Sequence, residues 1–148
     1  MEDRKKYMIN TYAKYWITAR DTVYGLMPYD KCLINKINDL AQKTSASSIL
    51  EVAIGTGEPI ASSLVEFDYK IHGIDISDIL IETVRNNHSE IDTKVGDAEN
   101  LPYYDSEFDM TYCVHSSWLI PNFKKAIFEM KRVTKQGGGN VVWYSKHS

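Results

Sequence analysis

From Ser48 onward, short apolar runs alternate with segments of helical periodicity, and this alternation limits the possible folds more than any other feature. Strands separated by helices predict a parallel sheet with helices on both faces. Right-handed crossovers then leave few topologies. Ligands of such sheets bind beyond the carboxyl ends of the strands, where the strand order reverses. The residues that directly follow each strand are therefore the candidates for a functional site.

The pattern predicts five strands and the helices that connect them. The strands are predicted at residues 48–54, 70–75, 93–95, 108–114 and 140–145. The connecting helices are predicted at residues 58–66, 78–87 and 122–134. Ser77 stands where the N-cap of the second of these helices belongs. Gly137–Gly139 are predicted to form the exit from the last helix, ahead of the fifth strand.

The chain ahead of the first strand has a helical pattern. Residues 1–27 predict one or two amphipathic helices that are rich in aromatic side chains: Tyr7, Tyr12, Tyr15, Trp16 and Tyr24. Residues 29–42 carry apolar side chains at helical spacing and follow Pro28, a residue favoured at helix starts. At 148 residues the chain suits a single domain. We predict an N-terminal helical cap over residues 1–44 and a sheet core over residues 45–148.

Composition and charge give no support to several classes of function. The net charge is −3, so the sequence does not carry the basic field typical of proteins that bind nucleic acid. No apolar stretch is long enough to predict a membrane span, and the N-terminus does not resemble a signal peptide. Cys32 and Cys113 lie far apart, which predicts two reduced thiols and no metal site. We expect a cytoplasmic protein.

A glycine loop follows the first strand, in the segment I-L-E-V-A-I-G-T-G-E-P-I at residues 49–60. Gly55 and Gly57 permit a tight turn and a close approach of a ligand, although glycine also suits any turn from a strand to a helix. Neither register of the loop completes the G-x-G-x-x-G pattern of dinucleotide-binding proteins. Glu58 adds negative charge and Pro59 removes an N–H donor, so a diphosphate is disfavoured. A phosphate-free cofactor that carries a sulfonium and an ammonium group suits this loop better than a nicotinamide dinucleotide.

Acidic residues follow the second and third strands. Asp75 lies 18 residues after Gly57, where a carboxylate can accept hydrogen bonds from both hydroxyls of a ribose. The alternative is a role in capping the next helix, but Ser77 already occupies that position. Ile76 is expected to lie against an adenine ring. After the third strand, Asp97 is placed to accept from the adenine amino group, with the backbone N–H of Ala98 bonding a ring nitrogen.

These segments together resemble the ordered motifs of class I methyltransferases. The matching segments are L-E-V-A-I-G-T-G, G-I-D-I-S, G-D-A-E-N-L-P-Y-Y-D-S-E-F-D and M-K-R-V-T-K-Q-G-G. The resemblance covers residues 48–145 and is strongest to the members that methylate small molecules. It implies S-adenosylmethionine (S-adenosyl-L-methionine) as cofactor and a Rossmann-like, doubly wound α/β fold with strand order 3-2-1-4-5-7-6. It also implies that Glu51, Ala53, Gly55 and Gly57 line the methionine end, that Asp75 holds the ribose, that Asp97 and Ala98 hold the adenine, and that Val114 and His115 face the methyl group.

The sequence departs from the family pattern at three points. Ala53 and Gln136 stand where the family usually has glycine and proline. The chain also stops at Ser148, before the positions of strands 6 and 7. An apolar fifth strand left at the edge of a sheet is a feature that proteins avoid. We therefore expect either a truncated form, which we favour, or a second copy or partner chain that covers this edge.

The acceptor of the methyl group is less well defined. His115, at the end of the fourth strand, is the best-placed general base, although a histidine at a helix start often has no chemical role. The Asn/Asp-Pro-Pro-Tyr/Phe signature of enzymes that methylate amide or adenine nitrogens is absent, since the chain reads V-H-S-S-W there. Trp118 and Leu119 are predicted to form a wall of the acceptor site, and Tyr103 and Tyr104 to pack within their loop. The N-terminal aromatic residues are predicted to cover the cofactor and contact an apolar or aromatic acceptor, although such residues more commonly pack in a core. We predict methyl transfer to a small organic acceptor, with an inactive cofactor-binding subunit as the alternative.

Overall fold

A computed structural model describes residues 2–19 and 28–143. The helical elements are α1 (Glu2–Tyr7), a π-helical segment (Met8–Tyr12), α2 (Ala13–Ala19), α3 (Pro28–Lys43), α4 (Ile60–Val65), α5 (Asp78–Asn87) and α6 (Phe123–Val133). The strands are β1 (Ser48–Val52), β2 (Lys70–Asp75), β3 (Asp92–Val95), β4 (Phe108–Val114) and β5 (Thr134–Trp143). They form one five-stranded parallel sheet of order β3-β2-β1-β4-β5. The predicted fold class and strand order are confirmed.

Strand β1 lies at the centre of the sheet because both of its faces are apolar. Ile49 belongs to a core that also includes side chains of α3, α4 and α5. The next residue, Leu50, belongs to a second core on the opposite face, which includes Met130 and Val133 of α6. Since successive side chains of a strand point to opposite faces, this alternation places helices on both sides of the sheet.

Several predicted elements are observed with their predicted bounds. Strands β2 and β4 and helix α5 begin and end where the sequence pattern places them. The hydroxyl of Ser77 accepts a hydrogen bond from the backbone N–H of Leu80 at 3.3 Å, as expected of an N-cap. Helices α3 and α6 differ by one residue at each end from the predicted ranges.

The glycine-rich segment after α6 does not form the predicted exit turn. Helix α6 ends at Val133 and β5 begins at the next residue, so Gly137–Gly139 lie within the strand. Gly137 has φ +81°, and the pairing of β5 with β4 shifts register between Phe108 and Met110. A β-carbon at Gly138 would stand 2.3 Å from the carbonyl oxygen of Asp109. The glycines therefore allow an irregular strand to pass close to its neighbour.

The first strand and the helix after it are shorter than predicted. Strand β1 ends at Val52 because Ala53 turns the chain with φ +60°. Helix α4 begins at Ile60, two residues later than predicted, with Pro59 at its N-cap. The loop between these elements is therefore longer than the pattern indicated.

The described residues cover only part of the segments predicted at the two ends of the chain. The N-terminal helices are observed over residues 2–19, whereas residues 20–27, with Tyr24, lie outside the described part. The last two residues of the predicted fifth strand, 144 and 145, also lie outside it. The division at residue 44 and the chain that covers the β5 edge stay predictions. In the described ranges no helix has the length and apolarity needed to cross a membrane.

Candidate functional site

One cleft opens at the carboxyl ends of the central strands, where the strand order reverses between β1 and β4. It encloses about 940 Å³, including its open mouth. All but one of the residues predicted to bind a cofactor line this cleft: Glu51, Ala53, Gly55, Asp75, Ile76, Asp97, Ala98 and Val114. His115 lines it as well. The fold thus brings together side chains from three strands and from the loop after β3.

The glycine loop forms the floor of the cleft and turns through positive φ angles. Gly55 has φ +62°, and the indole Nε1 of Trp16 lies 3.3 Å from the position of a β-carbon there. Ala53, which stands where the family pattern has glycine, also adopts a positive φ of 60°. Gly57 is the predicted residue that does not line the cleft. It has φ +80°, and it faces Val84 of α5 and His88.

Asp75 ends β2 with its carboxylate beneath the glycine loop. The side chain is 7% exposed. Its Oδ2 accepts from the backbone N–H of Gly55 and its Oδ1 from that of Ser77, each at 3.0 Å. Burial raises the pKa of Asp75, and the backbone hydrogen bonds oppose that rise. A carboxylate has about four acceptor sites, so these backbone hydrogen bonds do not exhaust the acceptor capacity of Asp75.

Glu51, on β1, is buried against Tyr112 of β4. The two residues are partners in the register of these parallel strands, and the Tyr112 hydroxyl donates to the Oε2 atom of Glu51 at 2.7 Å. Burial raises the pKa of the Glu51 carboxyl to about 8, although the hydrogen bond from Tyr112 lowers it. The Glu51 carboxyl is therefore largely protonated at neutral pH in the ligand-free protein.

Asp97 follows β3 and connects the cleft to the N-terminal helices. Its Oδ2 accepts from the Lys5 ammonium at 2.6 Å, while its Oδ1 accepts from the backbone N–H of Glu99 at 2.9 Å. Lys5 also lies 3.6 Å from the Glu99 carboxylate. The hydrogen bond to Asp97 raises the pKa of Lys5. The group predicted to contact an adenine is thus already bound to a cation from α1.

The N-terminal helices, residues 2–19, cover one side of the cleft with aromatic side chains. Tyr12 and Trp16 line it, and their rings stack at 5.9 Å. Trp118, from the loop after β4, packs edge-on against Tyr12 at 5.9 Å, although it does not itself line the cleft. Tyr7 and Tyr15 are about half exposed and are not among the residues that line it. Tyr12 and Trp16 therefore line the cleft, whereas Trp118 packs against Tyr12 without lining it.

Leu119, Tyr103 and Tyr104 were each predicted to pack near the site, and the structure places them differently. Leu119 is buried and lines the cleft, and its role in an acceptor wall stays a prediction. Tyr103 packs edge-on against Phe108 at 4.8 Å, as expected of loop packing. Tyr104, in contrast, is 84% exposed, so the packing predicted for it is wrong.

His115 directly follows β4 and has φ +59°, an unusual angle for a residue other than glycine. Its Nε2 lies 3.5 Å from the Oδ1 of Asp30, a fully buried carboxylate in the first turn of α3. The ring of Tyr29 packs edge-on against the imidazole at 5.4 Å. The imidazole is thus held between the cleft and α3.

The charge of the cleft fits a cationic ligand better than a phosphate. Five acidic side chains line it: Glu51, Glu58, Asp75, Asp97 and Glu99. Lys5 is the one lysine or arginine among the described lining residues, and it is bound to Asp97. A diphosphate would meet net negative charge, whereas a sulfonium or ammonium group would be attracted. In the described residues no group of three or more histidine, cysteine, aspartate or glutamate side chains is arranged to hold a metal ion.

Comparison with known proteins identifies the family. Residues 49–138, more than half of the chain, match the family model described as "Methyltransferase domain". The chain belongs to the class I S-adenosylmethionine-dependent methyltransferase family. The matched region begins in β1 and ends in β5, so it includes the glycine loop, Asp75 and Asp97.

Individual relatives of this methyltransferase domain are named for small-molecule methylation. A demethylmenaquinone methyltransferase of Paenarthrobacter aurescens (strain TC1) is 33% identical over 102 residues, which are 67% of this chain and 39% of that protein. A phthiotriol/phenolphthiotriol dimycocerosates methyltransferase 1 of Mycobacterium ulcerans (strain Agy99) is 32% identical over 99 residues, 64% of this chain and 36% of that protein. The chain thus spans about two-fifths of the length of these curated relatives.

A solved structure shares the fold of this methyltransferase domain. The CcbJ methyltransferase from Streptomyces caelestis has a TM-score of 0.71 and 16% sequence identity, and the match covers 86% of this chain and 54% of that one. At this level of identity the likeness concerns the architecture alone.

Three residues in or beside the cleft are not indicated by the sequence reasoning above. Lys5 contacts Asp97, which lies 92 residues away in the chain, and no local pattern signals that contact. Asp30 looks like an ordinary acidic residue in a first helical turn, yet α3 buries it beside His115. Tyr112 was detectable in principle, because a parallel pairing of β1 with β4 in the right register places it beside Glu51.

Proposed function

We propose that this chain binds S-adenosylmethionine in the cleft and transfers its methyl group to a small organic acceptor. The observation that supports this most directly is that Glu51, Asp75 and Asp97 line one cleft of net negative charge together with the glycine loop, to which Asp75 is hydrogen-bonded. The cofactor supplies a methyl carbon that is already activated by the sulfonium charge. The residues of the chain therefore have to bind and orient the cofactor and the acceptor and to exclude water from them. They do not have to activate the methyl donor.

Each acidic side chain has a proposed task in binding. Asp75, held by two backbone N–H groups, accepts from the ribose hydroxyls with its remaining lone pairs. Glu51 faces the methionine end, where an ammonium group favours its ionised form. Asp97 accepts from the adenine amino group and Ala98 donates its backbone N–H to the ring. Ile76 packs on the adenine face.

The acceptor is proposed to be a small molecule that is apolar or aromatic. The apolar and aromatic residues that line the cleft include Met8, Tyr12, Leu119 and Ile120. Such side chains bind apolar surface and leave few polar groups to satisfy. Both curated relatives are named for methyl transfer to small organic molecules, which supports the same class of acceptor.

Calorimetry with S-adenosylhomocysteine and NAD, measured side by side, tests the cofactor assignment. We expect binding of S-adenosylhomocysteine and none of NAD, because the cleft repels a diphosphate. Binding of NAD in preference to S-adenosylhomocysteine would overturn the proposal. A methyl-transfer assay with S-adenosylmethionine and apolar hydroxylated acceptors then separates an enzyme from the alternative, an inactive cofactor-binding subunit, which predicts binding without turnover.

The Asp75→Ala substitution tests the ribose contact. We expect it to weaken S-adenosylhomocysteine binding about tenfold or more, since a loss of ~1.4 kcal/mol is tenfold in affinity. Asp78→Ala is the matched control, because Asp78 lies three residues away, is exposed and does not line the cleft. Equal affinities of the two variants, measured by calorimetry, would reject the ribose assignment of Asp75.

A further inference from the structure

Three exposed aromatic side chains form a patch that adjoins the cleft. Tyr7, Tyr15 and Trp118 are 50%, 58% and 51% exposed. The ring centroids of all three lie close to that of Tyr12, at 6.4, 6.4 and 5.9 Å. Tyr12 itself lines the cleft. The three side chains, here named the aromatic patch, therefore extend from a wall of the cleft to the surface of the protein.

The N-terminal segment that carries two of these side chains is basic, in contrast to the rest of the chain. Residues 1–20 contain five basic and two acidic residues, whereas the whole chain has a net charge of −3. Arg4 and Lys14 are both exposed. Arg4 stands three residues before Tyr7 in α1, which places the two on one side of that helix. Lys14 directly precedes Tyr15 in α2. Exposed cations therefore lie next to the aromatic patch.

This combination of groups suits the surface of a membrane. Tyrosine and tryptophan rings enter the interface between lipid headgroups and acyl chains, where their polar atoms stay hydrated. Lysine and arginine side chains reach the lipid phosphates while their methylene groups stay in apolar surroundings. Anionic lipid attracts the basic segment and repels the acidic remainder of the chain, so electrostatics favour an orientation with residues 1–20 towards the lipid. Binding of this kind does not need a helix that crosses the membrane.

We propose that the aromatic patch and the cations of residues 1–20 dock this chain on a membrane surface that contains anionic lipid, from which an apolar acceptor enters the cleft. This inference rests on the proposed methyl transfer to an apolar acceptor. An apolar acceptor is concentrated in a bilayer and scarce in water. A lipid surface against the patch would supply such an acceptor beside the cleft, whereas a protein bound there would supply none.

Co-sedimentation with vesicles tests the inference on the unmodified protein. One set of vesicles contains equal parts of phosphatidylglycerol and phosphatidylcholine, and the other contains phosphatidylcholine alone. We expect the affinity for the anionic vesicles to be roughly tenfold higher or more. The difference should fall as salt is added, because ions screen the attraction. Absence of binding, or equal affinity for the two kinds of vesicle, would overturn the inference.

The double variant Tyr7→Ser with Tyr15→Ser tests the aromatic patch. We expect it to bind the anionic vesicles about tenfold more weakly, because less apolar area enters the interface. Tyr104→Ser is the matched control and should change nothing, since Tyr104 is exposed in the loop that leads to the amino end of β4. Equal affinities of a folded double variant and this control would contradict the role of the patch.

The double variant Arg4→Gln with Lys14→Gln tests the charge. It should also weaken binding about tenfold, and the remaining binding should depend less on salt. Lys43→Gln with Lys70→Gln is the matched control. Both lysines are exposed, at the end of α3 and at the first residue of β2, so they lie at the amino ends of the strands, opposite the cleft. An equal loss in the two double variants would show that net charge, and not this surface, determines binding.

Quenching of tryptophan fluorescence by brominated phosphatidylcholine shows which face enters the lipid. The chain has three tryptophans, and Trp118→Phe separates the signal of the aromatic patch from the other two. We expect the brominated vesicles to quench the unmodified protein and to quench Trp118→Phe less. Equal quenching of the two proteins would place another face on the lipid and overturn the inference.

The docking surface and the proposed function fail separately. Vesicle binding without binding of S-adenosylhomocysteine in calorimetry would remove the proposed function and leave the docking surface. Binding of S-adenosylhomocysteine without vesicle binding would remove the docking surface alone. Thermal melting shows whether each variant is folded, and if one is not, the unmodified protein still decides the inference through the vesicle comparison. Light scattering covers the other occupant: a dimer that Tyr7→Ser with Tyr15→Ser dissociates would assign the patch to a second copy and overturn the inference.

Discussion

At the scale of single residues, Glu51 shows how burial prepares a polar group for a ligand. Its carboxyl has a pKa of about 8 because it lies in the protein interior, with the Tyr112 hydroxyl as hydrogen-bond donor. A buried carboxyl in this state avoids the free energy of an unpaired charge. The ammonium group of a ligand in the cleft would pair with the Glu51 carboxylate and so favour loss of the Glu51 carboxyl proton.

Binding of S-adenosylhomocysteine should therefore release a proton and depend on pH. Below pH 8 the ligand has to bind a site whose Glu51 is mostly protonated, so affinity is expected to rise by up to roughly tenfold per pH unit between pH 6 and 8. In Glu51→Gln this dependence should vanish. Calorimetry in buffers of different ionisation enthalpy counts the protons, with the exposed Glu82→Gln as control. Parallel pH profiles of Glu51→Gln and the unmodified protein would contradict this role.

At the scale of elements, Asp109 ties three strands together near their amino ends. From β4, its Oδ2 accepts from the backbone N–H groups of Ser47 and Ser48, each at 3.0 Å, and from both hydroxyls. Its Oδ1 accepts from the Lys135 ammonium of β5, also at 3.0 Å. These hydrogen bonds hold the pKa of Asp109 well below its ordinary value of 3.8. The carboxylate thus connects β1, β4 and β5.

The Asp109 contribution to stability should be present at neutral pH and be lost in acid. Because the pKa is lower in the folded state than in the unfolded state, stability falls as the pH drops below about 4, where the unfolded chain binds a proton first. Asp109→Asn should lower the free energy of unfolding by about 2 kcal/mol at pH 7. The difference from the unmodified protein should shrink between pH 5 and pH 3.

Urea denaturation at several pH values measures this difference directly. Glu82→Gln is a suitable control, since it removes a carboxylate from an exposed position of α5 for which no pKa shift is resolved. A constant difference between the Asp109→Asn variant and the unmodified protein across this pH range would show that the carboxylate charge does not stabilise the fold.

At the scale of the whole molecule, two contacts hold the N-terminal helices over the cleft. One is the ion pair of Lys5 with Asp97, whose side chains are 23% and 33% exposed. The other is the packing of Trp118 against Tyr12, whose ring also stacks on Trp16. Both contacts join residues 2–19 to loops at the carboxyl end of the sheet.

Loss of the Lys5 contact should loosen the N-terminal helices without unfolding the sheet. In Lys5→Ala, hydrogen exchange of residues 2–19 should become about fivefold faster, as expected from the loss of roughly 1 kcal/mol of local stability. Lys6→Ala is the matched control, because Lys6 is exposed in the same helix. Exchange measured by mass spectrometry with equal rates in the two variants would show that the ion pair does not hold the segment.

Local sequence patterns were sufficient for much of the fold. The alternating strands and helices, the Ser77 cap and the bounds of β2 and β4 follow from periodicity and capping, which depend on neighbours in the chain. Resemblance to the family located Asp75 and Asp97 because motif residues at strand ends keep their order along the chain. The strand order followed from the same resemblance and is observed.

Other features depend on which segments meet in space. Gly137–Gly139 resemble a turn in sequence but lie in β5, since close approach to Asp109 and Leu40 requires residues without side chains. The pairing of Lys5 with Asp97 and that of Asp30 with His115 join distant parts of the chain. The raised pKa of Glu51 likewise arises from burial by neighbouring elements. Short-range patterns encode the backbone elements, whereas the burial and electrostatics of the site arise only when the packed elements exclude water.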